Sequence, residues 1–165
     1  MNLYILRHGE AESIGPKHPT DGARPLTSTG RMRVEQSARG MVTVGVTAEK
    51  MIASPLVRAR QTASIVHEGL GIGTDIEFTD ALPTGDIGGI VRAVQAHARY
   101  EHIMLVGHEP TLSRLISILA SGEPSTAIDL QPGGLCNLAL DAIEVGQCAT
   151  IQWCLAPNQL VSLGT

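Results

Sequence analysis

Four cationic or imidazole side chains stand where apolar segments give way to polar ones. Arg7 and His8 follow the run Asn2 to Leu6, and Arg58 lies just past Met51 to Ala53 and the pair Ser54-Pro55. His108 follows His102 to Val106 and Gly107. Guanidinium forks match phosphate oxygens bidentately and keep their charge at any working pH. A neutral imidazole, with an ordinary pKa of about 6.5, is a competent nucleophile near neutrality. Phosphoryl transfer needs in-line positioning and stabilised charge on the equatorial oxygens, and little else. Two arginines and two histidines with little sulfur or carboxylate nearby therefore suit a phosphoryl group. Taken singly, each has a plainer reading, because a lone arginine at a strand end is usually solvated and a lone histidine is usually a surface or satisfied core residue. Their joint placement after three separate apolar segments, each with glycine or proline beside it, sets them apart.

The elements that must position these groups follow from the pattern of apolar residues. Asn2 to Leu6, Met51 to Ala53, Ile76 to Thr79 and His102 to Val106 read as short buried strands. Helical spacing predicts a helix over Ser28 to Val42, with Met32, Val34, Ala38 and Met41 facing inward. A second helix has Ser54 as N-cap and Pro55 at its first position, with Leu56, Ala59, Ala63, Val66 and Leu70 on one face and Gly69 or Gly71 ending it. Further helices are expected over Ile87 to Arg99 and Thr111 to about Ala120, and two strands over Leu135 to Leu140 and Thr150 to Leu155. Strand alternating with helix favours a largely parallel sheet covered on both faces. In such sheets ligands bind outside the carboxyl ends of the strands, where Arg7, His8, Arg58 and His108 would converge. The first turn after Ser54-Pro55 would add positive helix dipole near a bound anion. His18, His67, His97 and His102 lack such a setting and read as ordinary surface residues.

Composition narrows the classes. At 165 residues the chain reads as one domain spanning 1–165, large enough for a core without disulfide or metal staples. Its four aromatic residues are Tyr4, Phe78, Tyr100 and Trp153, so the core must be built from Ala, Leu, Ile and Val. That scarcity and a formal charge of −4 exclude an ordinary nucleic-acid binder. Cys136, Cys148 and Cys154 form no CxxC pair and read as small buried hydrophobes in a reducing compartment. No segment approaches the roughly 20 apolar residues needed to cross a bilayer, and the N-terminal run is too short for a signal peptide. A cytoplasmic monomer is the resulting expectation. Other motif-like strings fail: Gly69-Leu70-Gly71-Ile72-Gly73 follows a helix instead of a strand, and no P-loop, zincin or GxSxG pattern occurs.

Four segments in order carry a resemblance: "LRHGEAE" at the first strand end, "RPLTSTG" at Arg24 to Gly30, "SPLVRARQT" at Ser54 to Thr62 and "LVGHEPTLS" at Leu105 to Ser113. Together they resemble the histidine phosphatase superfamily, which includes the phosphoglycerate mutases. The short length and the "RHGEAE" opening look most like the SixA-type phosphohistidine phosphatase branch. The resemblance covers residues 1 to about 120, and the rest matches in strand pattern only. It implies a three-layer α/β/α sandwich around a mostly parallel sheet, the phosphoglycerate mutase-like fold. It also implies that His8 is the nucleophile, forming a transient phosphohistidine, and that Arg7, Arg58 and His108 complete the phosphate pocket. Gly9 would let the backbone pass close beneath the imidazole. A backbone carbonyl accepting Nδ1–H of His8 would expose the other nitrogen. Arg24 would touch substrate at the rim, or cap the loop that enters the helix.

One departure bears on the substrate. Many members of the superfamily protonate the leaving oxygen with a glutamate after the third strand, whereas Leu82-Pro83-Thr84-Gly85-Asp86 offers only Asp86 as general acid. Glu10, Glu12, Asp21 and Glu109 are less suited. Alkoxide leaving groups need that proton, while imidazole is far less basic. The expected substrate is therefore phosphohistidine on a partner protein of the phosphorelay or phosphotransferase-system type, reached through an open site without cofactor or metal. The competing readings are a small-molecule phosphomonoesterase using Asp86 and a non-catalytic phosphoprotein-binding module.

Overall fold

Four buried residues in a row, Leu3 to Leu6, form a strand with no solvent face. Such strands belong to sheets covered on both sides. The computed structural model, which describes residues 1–165, has this arrangement. Its strands are β1 (Asn2–Arg7), β2 (Lys50–Ala53), β3 (Glu77–Phe78), β4 (His102–Gly107), β5 (Leu135–Leu140) and β6 (Ala149–Leu155). They form one sheet in the order β3-β2-β4-β1-β5-β6. The pairings from β3 through β1 are parallel, and β5 and β6 continue the sheet in antiparallel fashion. The short connection from β5 to β6 dictates their antiparallel pairing, because parallel neighbours need a crossover of a dozen residues or more.

The helices are α1 (Ser28–Thr43), α2 (Val57–Leu70), a single turn α3 (Ala81–Thr84), α4 (Ile87–Gln95), α5 (Thr111–Ser121) and α6 (Pro157–Leu163). Strand side chains alternate between two cores. Leu3, Ile5, Ile103 and Leu105 pack with Ile90 and Val94 of α4 and Leu112 and Leu115 of α5. Tyr4, Leu6, Met104 and Val106 pack with Val34 and Met41 of α1, Ala63 and Val66 of α2 and Leu160 of α6. The two cores hold 19 and 17 buried residues, so both helical layers carry comparable apolar burial. Each fully buried Leu or Ile contributes about 1.5–3 kcal/mol.

Several sequence expectations are corrected in detail. Met32 is 56% exposed, because it lies two positions from Val34 and so faces the opposite side of α1. The second helix begins at Val57, not Pro55. Ser54 Oγ accepts the Leu56 N–H at 3.2 Å, which turns the chain before the helix starts. α6 went unpredicted; its first turn has Gln159 Oε1 accepting from Ala156 N at 2.8 Å. Of the cysteines only Cys136 is buried, and Cys154 is exposed because β6 is an edge strand. His67 and His97 are half-buried and bonded, to the Thr74 carbonyl at 2.7 Å and to Glu77 Oε2 at 2.5 Å. No helix is long and apolar enough to cross a membrane.

Candidate active site

The parallel ladder between the two central strands brings the imidazoles together. Arg7 pairs with Gly107 in register, and the His8 N–H continues the ladder by donating to the Gly107 carbonyl at 3.0 Å. The residues after those positions, His8 and His108, therefore lie side by side, with ring centroids 5.1 Å apart. From the other flank, Gly133 N–H donates to the carbonyls of Arg7 and His8, and Arg7 N–H donates to the Gly134 carbonyl. The main chain bearing the first two candidate residues is thus held from both sides.

His8 is 8% exposed, and its two ring nitrogens have different partners. Nδ1 lies 2.7 Å from the Gly9 carbonyl, which can only accept, so Nδ1 carries the hydrogen. Nε2 takes a hydrogen bond from Arg58 Nε at 3.1 Å, and a guanidinium can only donate, so Nε2 carries the lone pair. Burial above all, with the nearby His108, Arg58 and Arg7, lowers the His8 pKa to about 3, against the opposing pull of the Gly9 carbonyl. The ring is neutral in the physiological range.

Gly9 has a steric reason. A Cβ there would stand 2.5 Å from Val34 Cγ2, so the turn runs against α1 with no room for a side chain. Gly30 mirrors it from α1, where a Cβ would meet the Glu10 carbonyl oxygen at 2.2 Å. Thr27 N–H and the side chain of Thr62 finish the clamp. The former donates to the Glu10 carbonyl at 3.0 Å, and Thr62 Oγ1 accepts the Gly9 N–H at 3.1 Å.

Arg58, in the first turn of α2, is 4% exposed. Besides His8 it donates to the Asp21 carbonyl at 2.7 Å and to Asp21 Oδ2 at 2.9 Å. Asp21 opens a single 3-10 turn, Asp21–Ala23, and also holds Arg24 through Oδ1 at 2.6 and 3.0 Å. The hydrogen bond from Arg58 keeps the Asp21 carboxyl below the ordinary carboxylate range. Arg7 donates through one terminal nitrogen to the Leu130 carbonyl at 3.0 Å, while its buried Nε has no partner. Burial pulls the Arg7 pKa down, and Glu109 and Asp129 hold it up. His108 bonds through Nε2 to Ser54 Oγ at 2.6 Å, and its Nδ1 is buried without a partner. Burial first, then Arg58, lowers its pKa to about 4.

Arg7, His8, Arg58 and His108 thus share one site with Gly9, and Arg24 joins them through Asp21. Asp86 stands apart from this network. Its carboxylate caps α4 by accepting from Gly89 N at 2.9 Å and pairs with Arg92 at 3.6 Å. Asp21, weighed in the sequence only as a less suited acid, Ser54, read there as a helix cap, and Thr62 are further members of the network. Asp21 stands three residues before Arg24 in the same loop, a spacing that hinted at the pair. Beside Gly9 and Glu10 lies a groove of about 180 Å³, walled by Arg33, Ser37 and Gln131.

Residues 3–90, the segment holding Arg7, His8 and Arg58, match the model of the histidine phosphatase superfamily, branch 1. The chain belongs to the histidine phosphatase superfamily. It is a phosphatase of that superfamily, and it is similar to members studied under the name SixA. Phosphohistidine phosphatase SixA of Escherichia coli (strain K12) is 28% identical over 163 residues, covering 97% of this chain and 96% of that protein. The structure of the protein histidine phosphatase SixA complexed with tungstate superposes with a TM-score of 0.83 at 28% identity, over 97% of this chain and 99% of that one. An uncharacterised protein of Picosynechococcus sp. is 32% identical over 88% of both chains. Phosphoglycerate mutase from Bacillus anthracis shares the fold at 15% identity, with a TM-score of 0.67.

Proposed function

We propose that this histidine phosphatase removes the phosphoryl group from phosphohistidine on a partner protein, through a covalent phosphate on His8. The observation that carries the reading is the fixed tautomer of His8: the Gly9 carbonyl holds the proton on Nδ1, which leaves the Nε2 lone pair facing Arg58, with the His108 ring alongside. A module that only bound phosphate would have no use for a neutral nucleophile in that position.

In the resting site Asp21 and the His8 lone pair both occupy donors of Arg58. An incoming phosphoryl group takes over those donors with its equatorial oxygens, and Nε2 is released to attack. Arg7 Nε and His108 Nδ1 are buried polar atoms without partners, which native structures seldom tolerate, and they supply further contacts to an anion. The Nε2–P bond forms as the P–N bond to the substrate imidazole breaks, and that imidazole takes its proton from solvent water as it leaves. Water then attacks phosphorus, the Nε2–P bond breaks, and phosphate departs with His8 neutral again.

The position of Asp86 supports a phosphorus–nitrogen substrate over a phosphate monoester. Its carboxylate is committed to Gly89 and Arg92, so an alkoxide leaving group would lack a ready proton donor. Similarity to SixA points the same way. The groove beside Gly9 and Glu10 offers room for the residues of a phosphorelay or phosphotransferase-type carrier that flank its phosphohistidine.

Trapping tests the mechanism. After incubation with a phosphohistidine protein and an alkaline quench, mass spectrometry should locate phosphate on His8, and His8→Ala should lose both adduct and turnover. Full hydrolysis by His8→Ala would overturn the mechanism. Equal efficiency on phosphohistidine protein and a simple alkyl phosphate would overturn the substrate class.

A further inference from the structure

The two strands farthest from the parallel half of the sheet bring a pair of thiols together. Cys136 of β5 and Cys154 of β6 are directly opposite in an antiparallel register. Opposed residues in such a ladder have Cα atoms about 4.5 or 5.5 Å apart, and both spacings fall in the roughly 4.4–6.8 Å range that a disulfide spans. Directly opposed side chains also emerge on the same face, and here the two sulfurs are in contact at 2.7 Å. The pair is unequal. Cys136 is buried among core residues, whereas Cys154 is exposed at the sheet edge, open to small reagents. Its hydrogen bond with Cys136 lowers the Cys154 pKa, and the same bond, together with burial, raises that of Cys136. Cys148, on the turn side of β6, has no thiol partner.

We propose that Cys136 and Cys154 are a redox modification site, at which hydrogen peroxide converts the two thiols into a reversible intrachain disulfide. The Cys154 thiolate attacks one peroxide oxygen, the O–O bond breaks, and hydroxide leaves a sulfenic acid on Cys154. Cys136 sulfur then attacks the Cys154 sulfur and the S–O bond breaks. The departing hydroxide takes the Cys136 proton and leaves as water. Each sulfur gives up one electron and the peroxide is reduced to water. A dithiol reductant reverses the modification by exchange at the exposed Cys154 sulfur. The bond would tie the edge strand to β5, whose Cys136 pairs with Ile5 two residues ahead of Arg7.

The test uses the whole chain, reduced, desalted and exposed to hydrogen peroxide. Two of the three thiols should be lost. The monomer mass should fall by about 2 Da, and non-reducing peptide mapping should join Cys136 to Cys154. The melting midpoint should rise by roughly 5–10 °C. Dithiothreitol should reverse all of these changes. Fluorescence of Trp153, the single tryptophan and the neighbour of Cys154, reports the change in real time. Cys148→Ser should still form the bond, and the exposed-site variant Cys154→Ser should not. No thiol loss, an intermolecular link, a bond through Cys148, or sulfinic acid on Cys154 without a crosslink would each overturn the proposal.

Discussion

Acidification perturbs the site without mutation. His8 and His108 are ordinary imidazoles in the unfolded chain, with pKa values of about 6.5, but burial holds them at about 3 and about 4 in the fold. Between pH 6.5 and about 4 the unfolded chain therefore binds two protons that the folded chain refuses. Unfolding then takes up protons, so this contribution to stability is complete above pH 6.5 and is lost as pH falls. Each group costs about 1.4 kcal/mol per pH unit, which puts the combined loss at roughly 4 kcal/mol by pH 5. That is a large fraction of a typical stability of about 5–15 kcal/mol. Urea denaturation at half-unit steps from pH 7.5 to 5 reads the slope, and His108→Gln isolates one of the two groups. The variant should lose stability less steeply than the wild type, by about one proton per molecule. Parallel curves for the two proteins would show that His108 titrates normally in the fold, and the account of the site as a desolvated, neutral pair would fail.

Other perturbations address single contacts. Gly9→Ala forces its Cβ to within 2.5 Å of Val34 Cγ2; displacement by about 1 Å should lower kcat on the order of 10²-fold, and adding Val34→Ala should restore most of it in the same turnover assay. Asp86→Ala removes the cap on Gly89 and should cost about 1 kcal/mol in urea melts, while phosphohistidine turnover stays within about twofold. Asp21→Asn removes the carboxylate charge that pairs with Arg58 and Arg24, so inorganic phosphate, the product of the proposed reaction, should inhibit the variant at lower concentration than the wild type. Arg58→Lys keeps the charge but cannot bond His8 and Asp21 from one planar fork, and kcat/KM should fall about 10²-fold or more.

What was legible in the sequence tracks the range of the interaction involved. Arg7, His8 and His108 could be placed because each follows an apolar strand, and strand ends share one edge of a parallel sheet. Arg58 followed from the turn after β2. Thr62 reads as one more small residue between Ala59 and Ala63 on α2, and only the approach of the Gly9 N–H, 53 positions away, gives it a role. Ser54 signals a helix cap by local rules, yet its hydroxyl also meets His108, 54 positions on. Asp86 shows the converse: its place in the chain suggested a proton donor, and local capping claims the carboxylate instead. The opposed cysteines were hidden because register between β5 and β6 depends on an irregularity at Asn137/Leu138 that spacing alone does not reveal.

The two imidazoles come from adjacent central strands whose backbone ladder fixes them. The surrounding rim is made of other material, the loop carrying Asp21 and Arg24 and the segment Gln131 to Gly134 that leads into β5. An engineer who wanted to change what reaches the site could thus exchange Gln131 on this rim, or Arg33 of α1 beside it, while the sheet centre is left as it stands. Retargeting and catalysis would then be separate design problems, solved on different parts of the chain.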